Sequence, residues 1–409
     1  MIKNLRLIEL FAGYGSQALA LKYLGVPFEH HFVCEFDKYA IQSYNDIHGT
    51  DFEVLDIRNI HAGDLNIIET NKYKYLMTYS FPCTDLSVAG KRAGMERESG
   101  TSSSLLWEVE RLLKECNELP QYLLMENVPM VISKDNIKLF GEWTGFLTKL
   151  GYDNYYQLLN AKDYGVPQNR ERCFMVSILK SEHKAFAFPK PKPLEIRLKD
   201  VLEDNVDEKY YLTSEKAQRL IYQLAKTIMT GDESAVILKW NKNMNVELKC
   251  VGQMDGSFES ANRVYDPNGL SPTTTCYHTD AGVRILEERE SSLKIKNATK
   301  QGYLEAKPGD SVGIGGRMEW HRANVMNGIA KTLICSENDV GVVAEDYRIR
   351  KLTPKECFRL MGVKDGDYDK LTVSNTQRYK QAGNSIVVDV LMAIFENMFI
   401  KDCKSNRLF

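Results

Sequence analysis

Over the first 180 or so residues, short apolar runs alternate with amphipathic ones, and this constrains the fold more than any other feature. LRLIELF (5–11) reads as a strand, AGYGS as a glycine turn and QALALKYLG as a helix closed by Gly25. HHFVCEFD (30–37) begins the same cycle again, a strand ending in acids before the helix KYAIQSYNDIHG. FEVLDI (52–57), YKYLMTYSF (73–81), YLLMENV (122–128) and CFMVSIL (173–179) predict further strands. SLLWEVERLLKECNEL (104–119) and LFGEWTGFLTKLGY predict helices between them. The alternation predicts an α/β domain built on a parallel, doubly wound sheet.

It stops after about residue 185. FPKPKPLEIRLKD, with three prolines, reads as a linker or crossover, and the chain to about 345 is irregular and rich in Gly, Asn, Thr and Ser. A chain of 409 residues, 43% of them hydrophobic, exceeds one ordinary domain. The expected division is a first domain over 1–185, a second over 186–345, and a return to the first over 346–409. In that return, LTPKECFRLMG (352–362) predicts a helix capped by Thr353 with Pro354 at its first position, and QAGNSIVVDVLMAIFENMF predicts a glycine turn before an apolar helix. Within the second domain, 263–283 lies over 322–342 at an offset of 59 with eight of 21 positions matching, which fits two related hairpin-like units or two similar turns.

Charge is nearly balanced, with 53 basic and 55 acidic residues, so a nucleic-acid partner is neither announced nor excluded. The nine cysteines are odd in number and form no CxxC pair, which argues against a disulfide framework or a zinc knuckle and for a reducing compartment. The N-terminus lacks a signal-peptide layout, and no apolar run reaches about 18 residues. The expectation is a soluble cytoplasmic protein with no metal and no membrane partner.

Candidate chemistry collects where the strands end. FAGYGS lacks the third glycine of a dinucleotide fingerprint and the GK[ST] of a phosphate loop, so its ligand need not carry a pyrophosphate. Glu35, closing the second strand, has the position that binds ribose hydroxyls in a doubly wound sheet. Asp56, closing the expected third strand, could accept from an adenine amino group. Each acid alone fits a surface loop as well; together they favour a nucleoside cofactor. Cys83 follows Pro82 at the carboxyl edge, where open sheets place their chemistry. The stretch from Thr84 to about Ser103, with Gly90, Gly94 and Gly100, has the make-up of a lid. Glu126 closes another strand and would lie near Cys83 if the two strand ends are neighbours, and QNRER adds Gln168, Arg170 and Arg172.

In this order FAGYG, EFD, LDI, SFPC, MENV, QNRER and QAGNS, with RKLTPKECFRLMG before the last, resemble the DNA (cytosine-5) methyltransferases of bacteria and phages. The resemblance covers about 5–180 and 345–400. It implies a Rossmann-like fold that binds S-adenosylmethionine, joined to a smaller, irregular, β-rich target recognition domain. Cys83 is implied as the thiolate that adds to carbon 6 of a flipped-out cytosine, and Glu126 as the group on ring nitrogen 3. Arg172, helped by Arg170, is implied to hold the 2-oxo group. Phe11, Ala12, Gly13, Gly15, Glu35, Asp56 and Pro82 are implied to bind cofactor, with Phe36 stacked on adenine, Ile57 beside the ring, and Asn384 and Ser385 completing the site. The implied partner is double-stranded DNA with a short recognition site, met by a monomer; any restriction endonuclease would be a separate component.

Two positions depart from the pattern: Thr84 stands where the family usually has glutamine, and Ser102 where related sequences often carry arginine. An RNA cytosine-5 methyltransferase is the second enzyme reading, and a catalytically silent DNA-binding regulator is the reading from another class. Lys190, Lys192, Arg197 and Lys199, Lys294, Lys296 and Lys300, and Arg263 and Arg322 are weaker candidates for DNA contact, each as well explained by solvation or a structural ion pair.

Overall fold

The computed structural model describes residues 2, 4–82, 97, 102–211, 250–253, 263–265, 267–273, 284–289, 293–296, 303–306, 311–313, 325–326, 340–342 and 346–401. They fall into two compact units: Met1–Val201 with Pro272–Ala281 and Pro354–Phe409, and Leu202–Ser271 with Gly282–Thr353. The seams lie at 201/202 and 353/354, where the sequence reading put 185/186 and 345/346. The stretch after 185 packs on the first unit instead of leaving it as a linker. Phe186 and Leu198 are buried, the Tyr164 hydroxyl donates to Pro189 O at 2.9 Å, and Lys192 N–H donates to Asp163 O at 2.9 Å.

The first unit is built on six strands. β1 (Leu5–Leu10) leads to α1 (Ser16–Leu24), β2 (Phe28–Cys34) to α2 (Lys38–His48), and a short helix α3 (Ala62–Leu65) precedes β3 (Lys74–Tyr79). Then come α4 (Leu106–Glu115), β4 (Tyr122–Asn127), α5 (Ile137–Lys149), β5 (Tyr152–Asn160), a two-residue β6 (Gln168–Asn169) outside the main sheet, and β7 (Glu171–Leu179). The sheet order is β2-β1-β3-β4-β7-β5. On α4 the buried residues Leu106, Val109, Leu112 and Leu113 recur at helical spacing and form one apolar stripe. They join Leu10, Met77, Leu123 and Trp143 in the main core cluster.

Three features differ from the sequence reading. β7 runs antiparallel to both β4 and β5, so the sheet is not wholly parallel. The connection between β5 and β7 is too short for the crossover helix that parallel neighbours need, so the chain turns back. Residues 52–57 form no strand; in place of a ladder, Leu55 N–H donates to Glu35 O at 3.0 Å, and the Asn45 side chain bonds the backbone of Phe52. QAGNS is the end of a helix rather than a glycine turn. After α6 (Pro354–Arg359) and α7 (Asp365–Tyr368), α8 (Asn375–Asn384) runs through Gly383, and α9 (Val388–Phe395) follows. α9 packs its Val388, Leu391 and Ile394 inside the first unit. No single helix among the described residues is long and apolar enough to cross a membrane.

The second unit is β-rich among its described residues. Asp346–Lys351, Arg284–Arg289, Arg263–Tyr265 and Cys250–Gln253 form a four-stranded sheet in that order. Ile285 lies opposite Arg350, and both are fully buried. Leu293–Lys296 pairs with Tyr303–Ala306, placing Lys294 opposite Glu305, while Val325–Met326, Ser311–Gly313 and Val340–Val342 form a three-stranded sheet. The two copies of the sequence repeat thus fall in different sheets. Arg322 and Lys300 lie outside the described residues.

Candidate active site

β1, β2, β3 and β4 are parallel, so their carboxyl ends share one edge. The turn after β1 carries Phe11 in the left-handed region (φ 58), unusual for a side chain of that size. Gly13 (φ 58) and Gly15 (φ 83) continue it, and Gly15 caps α1. A Cβ on Gly13 would meet nothing within 4 Å, so the turn opens onto free space there. A Cβ on Gly15 would collide with His48 Nε2 and lie 2.7 Å from Tyr44 Cε2, so the underside of the turn rests on α2. Ala12 is buried, and its N–H donates to Cys34 O at 3.3 Å.

Glu35 leaves β2 beside this turn. Its Oε2 accepts from Gly13 N–H at 2.9 Å and its Oε1 from Asp37 N–H at 2.8 Å. Burial pushes the Glu35 carboxyl up, opposed by these backbone donors. Next to it the Phe36 ring is 69% exposed, the most exposed of the large apolar side chains that are exposed in the described chain. Asp56 is not at a strand end. It caps a short 3-10 turn (Ile57–Asn59) and pairs with Arg58, whose Nε lies 3.0 Å from its Oδ1. That partner holds the Asp56 carboxyl below the usual carboxylate range. Ile57 is buried in the core cluster.

The end of β3 lies against the end of β4, with Tyr79 opposite Met125. Asn127 Nδ2 donates to Phe81 O at 3.0 Å, and the Ser103 hydroxyl donates to Pro82 O at 2.9 Å. The backbone that leads into Cys83 is therefore tied on two sides. Cys83 itself, Thr84 and the glycines of the expected lid lie outside the described residues.

Because β7 is antiparallel to β4, its first residues return to the same edge. Arg172 Nε reaches Glu126 Oε1 at 3.3 Å, and the Arg172 Nη1 donates to Glu171 O at 2.7 Å. Glu126 is 8% exposed. Burial pushes its carboxyl up, and the guanidinium groups of Arg172 and then Arg170 pull the other way. Arg170 has a different position from its neighbour. It is buried, and its Nη2 donates to Ser385 O at 2.7 Å and Gly383 O at 3.0 Å, linking the start of β7 to the α8–α9 turn. Gln168 is also buried, its Nε2 donating to Leu360 O at 3.4 Å. Ser385 Oγ accepts from the buried Tyr14 hydroxyl at 2.8 Å, which attaches the far end of the chain to the glycine turn; Asn384 beside it is exposed.

The structure thus brings Phe11, Gly13, Gly15, Glu35 and Ser385 around one turn, and Glu126, Arg172 and Pro82 along the adjoining edge. Asn127, Ser103 and Tyr14 were not assigned from the sequence. Asn127 sits inside MENV and Ser103 inside the serine run, but only the fold shows which carbonyl each one meets.

A family model described as C-5 cytosine-specific DNA methylase matches residues 5–400. The type II methyltransferase M2.ScrFI of Lactococcus lactis subsp. cremoris is 31% identical, over 97% of this chain and 99% of its own. The orphan methyltransferase M.SPRI of Bacillus phage SPR is 32% identical, over 97% of each. Among solved structures, the S. pombe Dnmt2 methyltransferase is similar with a TM-score of 0.58 at 21% identity, covering 95% of this chain and 97% of its own, a likeness of fold.

Proposed function

Because the chain belongs to the C-5 cytosine-specific DNA methylases, we propose that it methylates carbon 5 of a flipped-out cytosine at a short site in duplex DNA, through a covalent cysteine adduct. The observation that carries this is the Glu126–Arg172 pair, held at the sheet edge beside the tied Phe81–Pro82 backbone that leads into Cys83.

The chemistry needs a nucleophile, because carbon 5 of cytosine is itself a poor one. The Cys83 thiolate forms a bond to carbon 6, which makes carbon 5 enamine-like. Negative charge would then build on ring nitrogen 3. Glu126, whose burial favours its protonated form, gives its proton to that nitrogen. Arg172 holds the Glu126 carboxyl and presents its guanidinium to the 2-oxo group. After methylation the proton on carbon 5 leaves to solvent water, the sulfur–carbon bond breaks to return the Cys83 thiolate, and Glu126 recovers its proton from ring nitrogen 3. Arg170 acts at a distance, positioning β7 through Gly383 and Ser385.

S-adenosylmethionine, when bound, supplies the electrophilic methyl group. The residues fit such a group: the turn is open over Gly13, Glu35 offers a carboxylate to ribose hydroxyls, and the exposed Phe36 ring offers a face to adenine. With Asp56 occupied by Arg58, recognition of an adenine amino group there requires the carboxylate to accept a further bond, which its second lone pairs allow.

A base inside a duplex cannot reach the thiol, so the reaction requires flipping, and sequence reading falls to the second, β-rich unit. The same reading has one copy acting in the cytoplasm, with any restriction endonuclease a separate component. The test is transfer of labelled methyl from S-adenosylmethionine to duplex DNA, with total transfer RNA in parallel. Label at carbon 5 of cytosine in DNA supports the reading, and bisulfite sequencing then gives the site. Label in RNA alone changes the substrate. Cofactor binding without transfer to either points to a silent DNA-binding protein.

A further inference from the structure

Beneath the glycine turn is a chain of polar groups, buried at Glu9 and Tyr44 and half-buried at His30 and His48, that the proposed chemistry does not use. Glu9, the penultimate residue of β1, is fully buried. Its Oε1 accepts from Ala18 N–H in α1 at 3.4 Å, and its Oε2 accepts from the Tyr44 hydroxyl in α2 at 2.5 Å. The Tyr44 oxygen also lies 2.7 Å from His30 Nδ1 in β2. Tyr44 and His48 are the side chains on which Gly15 rests, and His48 Nε2 lies 3.1 Å from Tyr14 O. The same few groups therefore contact the first turn of α1 and the backbone of the glycine turn.

We infer that Glu9 is a positioning residue for the cofactor loop: its carboxylate, through Ala18 and Tyr44, holds the 11–16 turn in the shape that binds cofactor. The inference rests on the reading of that turn as the cofactor site. Among the described residues no charged side chain bonds Glu9 directly; its partners there are a backbone N–H and a phenol. Burial pushes its pKa up to about 7, opposed by those two bonds. The groups around the chain are His30, lowered by burial and by Lys22 of α1, and His48, lowered to about 3 by burial, His30 and Lys22 against the Tyr14 carbonyl and Asp367 of α7. The shifts move both imidazoles away from charge near pH 7 and bring the Glu9 carboxyl up to it.

Proton order follows from the bonds. With Glu9 ionised, Tyr44 O–H donates to Oε2 and His30 Nδ1–H donates to the Tyr44 oxygen. Ala18 N–H is a fixed donor, so Oε1 must remain an acceptor and a proton added to Glu9 goes on Oε2. Glu9 O–H then donates to Tyr44, Tyr44 O–H donates to His30 Nδ1, and His30 carries its own proton on Nε2. The imidazole exchanges that proton with water, since His30 lines a surface pocket of about 470 Å3. The bond to Ala18 loses its charge assistance in the protonated form. Cofactor affinity is expected to rise with pH through about 7, and by reciprocity cofactor binding expels a proton from Glu9.

The experiment is isothermal titration of the full-length protein with S-adenosylmethionine from pH 6 to 8.5, in buffers of different ionisation heat, for wild type, Glu9→Gln and Tyr44→Phe. Wild-type affinity should weaken about three- to tenfold at the acid end, with proton release near pH 7. Glu9→Gln should bind more weakly at high pH and lose the difference between pH values. Tyr44→Phe removes a bond that lowers the Glu9 pKa, so the pH at which affinity weakens should move up, and that shift decides the matter if Glu9→Gln fails to fold by circular dichroism. The cofactor's own amino titration is common to all three proteins and cancels in the ratios. A wild-type profile that is flat, a slope that survives in Glu9→Gln, or a Tyr44→Phe profile that does not move, overturns the inference while leaving the cofactor reading intact. Absence of cofactor binding by the wild type at every pH overturns both.

Discussion

Glu126 and Arg172 face each other at 3.3 Å across adjacent antiparallel strands, although 45 residues of chain separate them. The pair exists because β7 reverses direction, which returns its N-terminal end to the edge where β4 finishes. A carboxyl raised by burial is thereby held beside a guanidinium in one half-sheltered place. Proton donation at that point is expected to be the main contribution of Glu126. Glu126→Gln should lower kcat about 10²- to 10³-fold, with folding preserved by thermal melt. A loss confined to KM would assign Glu126 to binding alone.

Arg170 and Arg172 are two residues apart and are expected to fail differently. Arg170 is buried on two backbone carbonyls, and Arg170→Ala leaves both without that donor. We expect a stability loss of roughly 2–4 kcal/mol, read as a lower Tm. Arg170→Lys should recover little, because an ammonium cannot reproduce the guanidinium fork. Arg172→Ala should keep most of the stability and lose methyl transfer.

The two glycines of the turn give an internal comparison. Gly15→Ala meets both a left-handed φ and a collision with His48 and Tyr44, whereas Gly13→Ala meets only the left-handed φ. Strain alone costs about 1–2 kcal/mol, and overpacking adds roughly 1–3 more. Denaturant melts should therefore rank Gly15→Ala well below Gly13→Ala in stability.

Phe36→Ala should leave stability within about 0.5 kcal/mol, since the ring is mostly in solvent. Cofactor affinity should fall by roughly tenfold with the loss of a stacking face. Unchanged affinity would remove Phe36 from the cofactor site.

Acid stability should depend on Asp367, which accepts from Lys22 Nζ, Lys370 Nζ and Tyr23 OH at 2.8 Å each. Burial opposes its ionisation, but these partners outweigh it and lower the pKa to about 2. A depressed carboxylate contributes stability that is complete above its unfolded value near 4 and is lost as pH falls towards 2. Asp367→Asn should flatten the wild-type stability curve in that window and leave the curve near Glu9's range unchanged.

The meeting of the candidate residues at one sheet edge was legible because they sit in short segments next to strand ends. FAGYG, EFD, SFPC and MENV each combine an apolar run with the residues that follow it, so position and chemistry are read together. The direction of β7 was not legible, since CFMVSIL has the same apolar pattern in either orientation and only the short connection from β5 decides it. FEVLDI has the composition of a strand, but β2 is the sheet edge and its outer side offers this segment one backbone bond rather than a ladder. The bonds of Arg170 were hidden for another reason. They join residues more than 200 positions apart, and an arginine in QNRER looks the same whether it meets substrate or a buried carbonyl.

The most direct test of the account is to incubate the protein and S-adenosylmethionine with duplex DNA carrying 5-fluorocytosine at the mapped site. Fluorine replaces the proton that must leave carbon 5, so the bond between Cys83 and carbon 6 cannot break after methylation. The account predicts a denaturant-stable protein–DNA complex that contains the labelled methyl group, is absent with Cys83→Ser and forms slowly with Glu126→Gln. Methyl transfer to ordinary cytosine by Cys83→Ser, or a wild-type enzyme that methylates cytosine but forms no complex on the fluorinated site, would contradict it.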